Sequence, residues 1–182
     1  MAKKKIVEIK VPEKVEVEIS GNHILVRGPK GEVSRTFQKF GMEILKKDHS
    51  ITIDLKDKKL NKKNKMLFMT TRAHIRNLIK GALEGFEYKL KVCSIHFPIT
   101  VTAEKGQVII KNFLGEKIPR KADIINGTNV KVDGDIIIVS GVDKERVGQM
   151  AARVEQTTRI TNKDRRVFGD GAWIFEKGGK KL

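Results

Sequence analysis

The chain has 182 residues, with 38 Lys and Arg against 22 Asp and Glu, for a formal net charge of +16. That excess points to an extended anionic partner, nucleic acid ahead of a membrane surface. A hydrophobic share of 39% supports one ordinary domain or two small ones with modest cores; the single cysteine, Cys93, excludes an internal disulfide and fits a reducing compartment.

In chain order, residues 1–10 read as a solvated basic arm. Glu8 and Lys10 interrupt the apolar residues there before a leader-type run can build, and no run of about 18 apolar residues follows anywhere to span a bilayer. Residues 14–19 alternate with period two, as a half-buried strand does. Gly21-Asn22 turns the chain into a strand at 24–27. Gly28-Pro29-Lys30-Gly31 turns it again, with Pro fixing φ and Gly admitting φ > 0. Residues 33–37, 43–45 and 51–55 continue the meander, and residues 56–65 form a lysine-rich loop. Leu67, Thr71, Ile75, Leu78, Ile79 and Ala82 then recur at helical spacing, with Arg72, Arg76 and Lys80 on the other side. The spacing predicts a helix that opens near Met66 and stops at Gly85.

The division between halves is expected in the linking strand near 88–97, which gives a first domain over 11–90 and a second over 91–160. In the second half, residues 99–103 and 108–111 read as strands about a Lys105-Gly106 turn. Residues 130–132 and 135–139 flank the hairpin signal Asp133-Gly134. Ser140-Gly141-Val142-Asp143 has the form of a capping box, followed by Val147, Met150, Ala151, Val154 and Thr158 as an apolar stripe. Residues 161–182 form a basic, glycine-rich C-terminal segment.

The two halves share a pattern. His23-Ile24-Leu25-Val26-Arg27-Gly28-Pro29-Lys30-Gly31-Glu32 is answered by Gln107-Val108-Ile109-Ile110-Lys111-Asn112-Phe113-Leu114-Gly115-Glu116. A further β-rich run and a helix follow each copy. The matched order predicts a duplicated domain, because a solenoid with its period of roughly 20–50 residues would show more than two copies.

Nothing here reads as an enzyme. His23, His49, His74 and His96 are scattered as surface or edge histidines, and no second cysteine completes a zinc site. Cys93 reads as a buried thiol. Gly169-Asp170-Gly171 follows no convincing strand and opens no helix, so it is not a dinucleotide loop. Asp133 and Asp135 flank a hairpin glycine, and turn chemistry accounts for them. No cofactor, metal or small-molecule substrate is expected.

The basic clusters carry the remaining chemistry, since Lys and Arg neutralise phosphates and release counterions and Arg adds bidentate contacts. Lys163, Arg165, Arg166, Lys177, Lys180 and Lys181 share the C-terminal segment with Gly169 and Gly171, where glycine admits a close sugar–phosphate chain. Trp173 offers a face on which a base can stack; the competing reading docks residues 173–175 on the second domain as a short strand. Lys62, Lys63 and Lys65 form a secondary candidate, for which a solvated loop is the alternative.

Residues 140–153, from Ser140-Gly141-Val142-Asp143 to Arg153, resemble the helix opening of the universal large-subunit ribosomal protein six family. Asn162-Lys163-Asp164-Arg165-Arg166-Val167-Phe168-Gly169-Asp170-Gly171 resembles the C-terminal segment of its archaeal and eukaryotic type. The resemblance implies two tandem α+β domains, each a small antiparallel sheet with one helix packed on a face. It implies binding to large-subunit ribosomal RNA near the stalk base, the sarcin–ricin loop and the factor-binding region, beside neighbouring ribosomal proteins in the cytoplasm. Residue by residue it points to Lys163, Arg165, Arg166 and the Gly169-Asp170-Gly171 turn as the anchor. The rival readings are a free-standing double-stranded RNA-binding protein and a basic protein–protein scaffold.

Overall fold

The computed structural model describes residues 7–37, 42–47, 50–55 and 61–181. The first six residues of the expected arm, His49 and residues 56–60 of the lysine-rich loop lie outside the described residues. The chain divides into two compact units, Met1–Gly85 and Phe86–Leu182.

The first unit begins with β1 (Val7–Lys10), β2 (Glu16–Ser20), β3 (His23–Gly28) and β4 (Gly31–Thr36). It continues through β5 (Met42–Lys47) and β6 (Ser50–Leu55) to the helix α1 (Lys62–Leu83). Two antiparallel sheets form, ordered β1-β6-β5 and β2-β3-β4. Strands of both pack against α1, and Val17, Ile24, Val26, Ile51, Ile53, Phe68 and Ile75 make the core.

Residues 7–10 are therefore a strand, not part of a solvated arm. The charges at Glu8 and Lys10 are the outward half of a period-two alternation whose inward residue, Ile9, is buried opposite Ile51. The β3–β4 turn is held against the end of α1: Lys30 N donates to Ala82 O at 3.1 Å, and a Cβ on Gly28 would stand 2.5 Å from that same oxygen. Only glycine admits this approach.

The helix α1 opens at Lys62 rather than near Met66, so Lys62, Lys63 and Lys65 occupy its first turn and not a loop. The helical apolar spacing begins only at Leu67, which is why the sequence pattern placed the start later; the lysines of the first turn oppose the positive end of the helix dipole. Asn61 precedes the helix without a side-chain cap, and no acidic residue occupies the first turn.

The second unit repeats the plan and extends it. Its elements are β7 (Phe86–Cys93), β8 (Thr100–Glu104), β9 (Gln107–Lys111), a 3₁₀ turn (Phe113–Gly115), β10 (Arg120–Asp123), β11 (Thr128–Asp133) and β12 (Ile136–Gly141). The helix α2 (Lys144–Thr157) and strands β13 (Gly171–Lys177) and β14 (Lys180–Lys181) follow. The sheets run β10-β9-β8 and β11-β12-β7-β13-β14. Stripped of β13 and β14, the second sheet has the order β7-β12-β11, which matches β1-β6-β5 position for position. Each unit thus holds a three-stranded meander inserted after its first strand, then a hairpin and a helix. The fold is α+β, in two tandem copies.

Three further details differ from the sequence expectation. The stretch near 88–97 is no linker at its start, because β7 sits between β12 and β13 in the sheet centre and the units divide at Gly85. The turn after β9 does not copy the Pro29-Lys30 hairpin: Phe113 stands where the first copy has Pro29, is buried, and lies in a 3₁₀ turn over 113–115 before β10 starts at Arg120. The N-cap of α2 is Asp143, whose carboxylate accepts from Glu145 N at 2.8 Å, while Ser140 lies within β12. Asp143 displaces Ser140 from the capping role because β12 runs on through Gly141 and keeps Ser140 in the ladder.

Candidate nucleic-acid interface of the second unit

The C-terminal segment is built into its unit. Residues 171–177 form β13, which pairs antiparallel with β7 from Gly171 opposite Cys93 to Ile174 opposite Leu90, with a bulge before Glu176. Ala172 is buried in the core. Residues 173–175 thus dock on the second unit as part of a strand, as the competing reading has it, while residues 161–170 form the loop that leads into it. Cys93 is half-exposed rather than buried.

The start of β13 is pinned to the end of α2. Thr158, a buried polar residue, donates from Oγ1 to Glu155 O at 3.0 Å and accepts from Ala172 N at 3.0 Å. Arg120 closes the same helix end, donating to Thr157 O and Arg159 O while pairing with Glu116 and lying 4.3 Å over Phe113. Its cation sits where the helix dipole is negative. Nothing in the spacing of Arg120 announces this role.

Asp170 is the hub of the loop between α2 and β13. It is wholly buried, and its Oδ1 accepts from Ile95 N at 2.8 Å and His96 N at 3.0 Å. Oδ2 lies 2.6 Å from His96 Nδ1; an ionised carboxylate only accepts, so Nδ1 carries the proton. Burial pushes the carboxyl up, but the hydrogen bonds from the backbone and ring of His96 and the backbone of Ile95 outweigh it and hold the group below its ordinary value. His96, read as a surface or edge histidine, is the partner of this buried acid. Its ring, about one-third exposed at 32%, stacks on Phe168 at 4.7 Å.

The glycines on either side of Asp170 have packing reasons. A Cβ on Gly169 would meet Ile95 Cδ1 at 2.9 Å, and Gly171 adopts φ 145° with Thr158 Oγ1 3.3 Å from the Cβ position. Trp173 is fixed by its Nε1–H donating to Gly169 O at 3.1 Å. Asp, Gly, His, Phe and Trp thus form one pinned loop, a constellation in which the residues at 95–96 lie far away in sequence.

On this scaffold the bases are presented outward. Lys163 Nζ lies 4.4 Å over the Phe168 ring and the Arg165 guanidinium 4.7 Å over Trp173, each a cation–π contact that limits side-chain wandering. Arg166 is 89% exposed and forms a fork with Asp164, at 3.2 and 2.8 Å. That pair raises the arginine's pKa and lowers the carboxylate's. Lys177, Lys180 and Lys181 stand exposed on the hairpin around Gly178 and Gly179, both at positive φ. The structure therefore gathers Lys163, Arg165 and Arg166 on one loop, while Lys177, Lys180 and Lys181 belong to the β13–β14 edge. Lys62 and Lys65 are exposed in the first turn of α1, in the other unit.

Among the described residues no cluster of His, Cys, Asp and Glu is fit to hold a metal ion, and no helix is long and apolar enough to cross a membrane. The arrangement offers held cations and aromatic faces, which suit phosphate and base contacts.

Comparison with known proteins gives a consistent result. The family model described as ribosomal protein L6 matches the chain twice, over residues 11–85 and 97–171. Among curated relatives named large ribosomal subunit protein uL6, that of Methanobrevibacter smithii is 42% identical over 93% of this chain and 94% of its own length. Those of Methanococcus vannielii, at 44% over 96% and 95%, and Desulfurococcus amylolyticus, at 45% over 94% and 94%, are similar in extent.

Proposed function

The chain belongs to the ribosomal protein L6 family, and from that membership we propose that it binds large-subunit ribosomal RNA near the stalk base and the factor-binding region through the loop at 163–170. It is a structural, non-enzymatic component of the large ribosomal subunit and works in the cytoplasm on the ribosome. Neighbouring ribosomal proteins at the stalk base complete its surroundings in this reading.

The observation that carries the anchoring role is the pinned loop itself. Lys163, Arg165 and Arg166 are each held by an aromatic ring or a carboxylate on a loop whose own backbone is tied down through Asp170. Ordering cost is then met before RNA arrives, and prearranged groups bind with less entropy loss. RNA helices are read largely by shape, phosphates and 2′-hydroxyls, which suits such fixed cations. At the secondary site of Lys62, Lys63 and Lys65, the exposed Lys62 and Lys65 have no comparable support among the described residues, and the site supplies general attraction.

Hydroxyl-radical footprinting of large-subunit RNA tests the placement. Protection of the stalk-base and sarcin–ricin segments is expected with the wild-type chain. It should be lost in Lys163→Ala with Arg165→Ala and kept in Lys62→Ala with Lys65→Ala. Protection elsewhere, or equal protection of unrelated duplexes, would instead favour the free-standing RNA-binding reading.

A further inference from the structure

A cleft of about 350 Å³ opens between the C-terminal end of α2 and the loop that precedes β13. Glu155, Gln156, Arg159, Arg165, Phe168 and Trp173 line it. We propose that this cleft takes one unstacked, amino-bearing base of an RNA strand, with the adjoining phosphate toward Arg159. The inference rests on the RNA-binding reading of this face and adds to it a pocket and a ligand class.

Size sets the first limit. The cleft has room for roughly ten water-sized atoms, the scale of a single base and too little for a duplex. Its walls are aromatic and already fixed. Trp173 is held by its bond to Gly169 O, and Phe168 by its stack on His96. The planar guanidinium of Arg165, seated over Trp173, extends that surface, because bases stack on arginine planes as well as on rings.

Polarity sets the second limit. Glu155 Oε1 accepts from Ile174 N at 3.3 Å, which holds the carboxylate in the wall. Its second oxygen has no partner among the described residues and can accept from an exocyclic amine. Guanine, adenine and cytosine carry such an amine; uracil does not. The same carboxylate repels a free phosphate inside the cleft, so the anionic part of a nucleotide belongs at the rim. There Arg159 is exposed, and its guanidinium has no partner among the described residues. A base paired within a helix keeps its Watson–Crick edge engaged, so the occupant is a splayed nucleotide of a loop, bulge or end.

Trp173 is the only tryptophan in the chain, so its emission reports directly on the cleft. The full chain is titrated with short oligouridylates that carry one guanosine, adenosine or cytidine, and with plain oligouridylate, while a filter assay follows binding of a large-subunit ribosomal RNA fragment. Saturable quenching is expected with an amino-bearing base, and binding about tenfold weaker with plain oligouridylate. Arg159→Ala should weaken the preferred oligomers about tenfold without removing the ribosomal RNA complex. Glu155→Gln, which keeps an acceptor for Ile174 N, should flatten the preference among bases. Equal quenching by every oligomer, or no saturable quenching while the ribosomal RNA fragment still binds, overturns the pocket and leaves the RNA-binding reading standing. Failure of the ribosomal RNA fragment to bind at all overturns both.

Discussion

At the scale of single residues, Asp170 decides how the proposed anchoring loop is held. A buried carboxylate with three donors is costly to disturb, since removing one partner strands the others. Asp170→Ala is expected to lower stability by about 2 kcal/mol or more in chemical denaturation, with a matching fall in the protection of the 94–97 and 163–170 amides from exchange. The pH sign follows from the depressed folded-state pKa. The stabilisation is complete above the unfolded-state value and drains away as pH falls through the folded-state value. Wild-type stability should therefore drop with acid below the ordinary carboxylate range, and Asp170→Asn should show a shallower drop over that window. Identical pH profiles would remove Asp170 from the account. Gly28→Ala is a second residue-level case: with Ala82 O 2.5 Å from the new Cβ, a loss of about 1–3 kcal/mol is expected on thermal melting. Much of this scale was hidden in the sequence. Lys163, Arg165 and Arg166 stand out as charges, but the tie from Asp170 to residues 95 and 96 spans more than seventy positions and leaves no local pattern.

At the scale of elements, alternation and turn signals located most strands, because a half-buried strand must alternate and a tight hairpin must supply glycine. Where they misled, a tertiary partner explains it. The run at 7–10 looked solvated until β6 paired with it, and residues 173–175 read either as a stacking face or as a docked strand until β7 paired with them. Two predictions belong here. Deleting residues 171–182 removes a strand adjacent to the central β7 and the buried Ala172, so the second unit should lose cooperative unfolding and not remain intact; an unchanged calorimetric transition would contradict that. In α1, Lys62→Glu places an acid at the positive helix end and should raise the stability of the first unit by about 0.3–1 kcal/mol, while weakening RNA attraction. A lysine that stands against the helix's own dipole is what an external phosphate would explain, and a destabilised helix in the variant would refute the dipole argument.

At the scale of the whole molecule, duplication and charge are the dominant facts. The strand orders β1-β6-β5 and β7-β12-β11 show one plan used twice, and among the described residues only the second copy adds strands to it, β13 and β14, with the 163–170 loop leading into them. The duplicated plan was legible from matched hairpin, strand and helix order. The proposed anchor was legible as a motif, while the hydrogen bonds that pin its loop required the fold. The net charge of +16 supplies attraction to any polyanion; geometry at one loop must supply preference. The most direct test is sedimentation of the tagged chain with large ribosomal subunits through a high-salt sucrose gradient. The proposed anchoring role requires that the wild-type chain stays with the large subunit, that Lys163→Ala combined with Arg165→Ala and Arg166→Ala moves to the top of the gradient, and that Lys62→Ala with Lys65→Ala remains bound. Retention of the triple variant, or loss of the wild-type chain at salt that leaves the subunit intact, would contradict it.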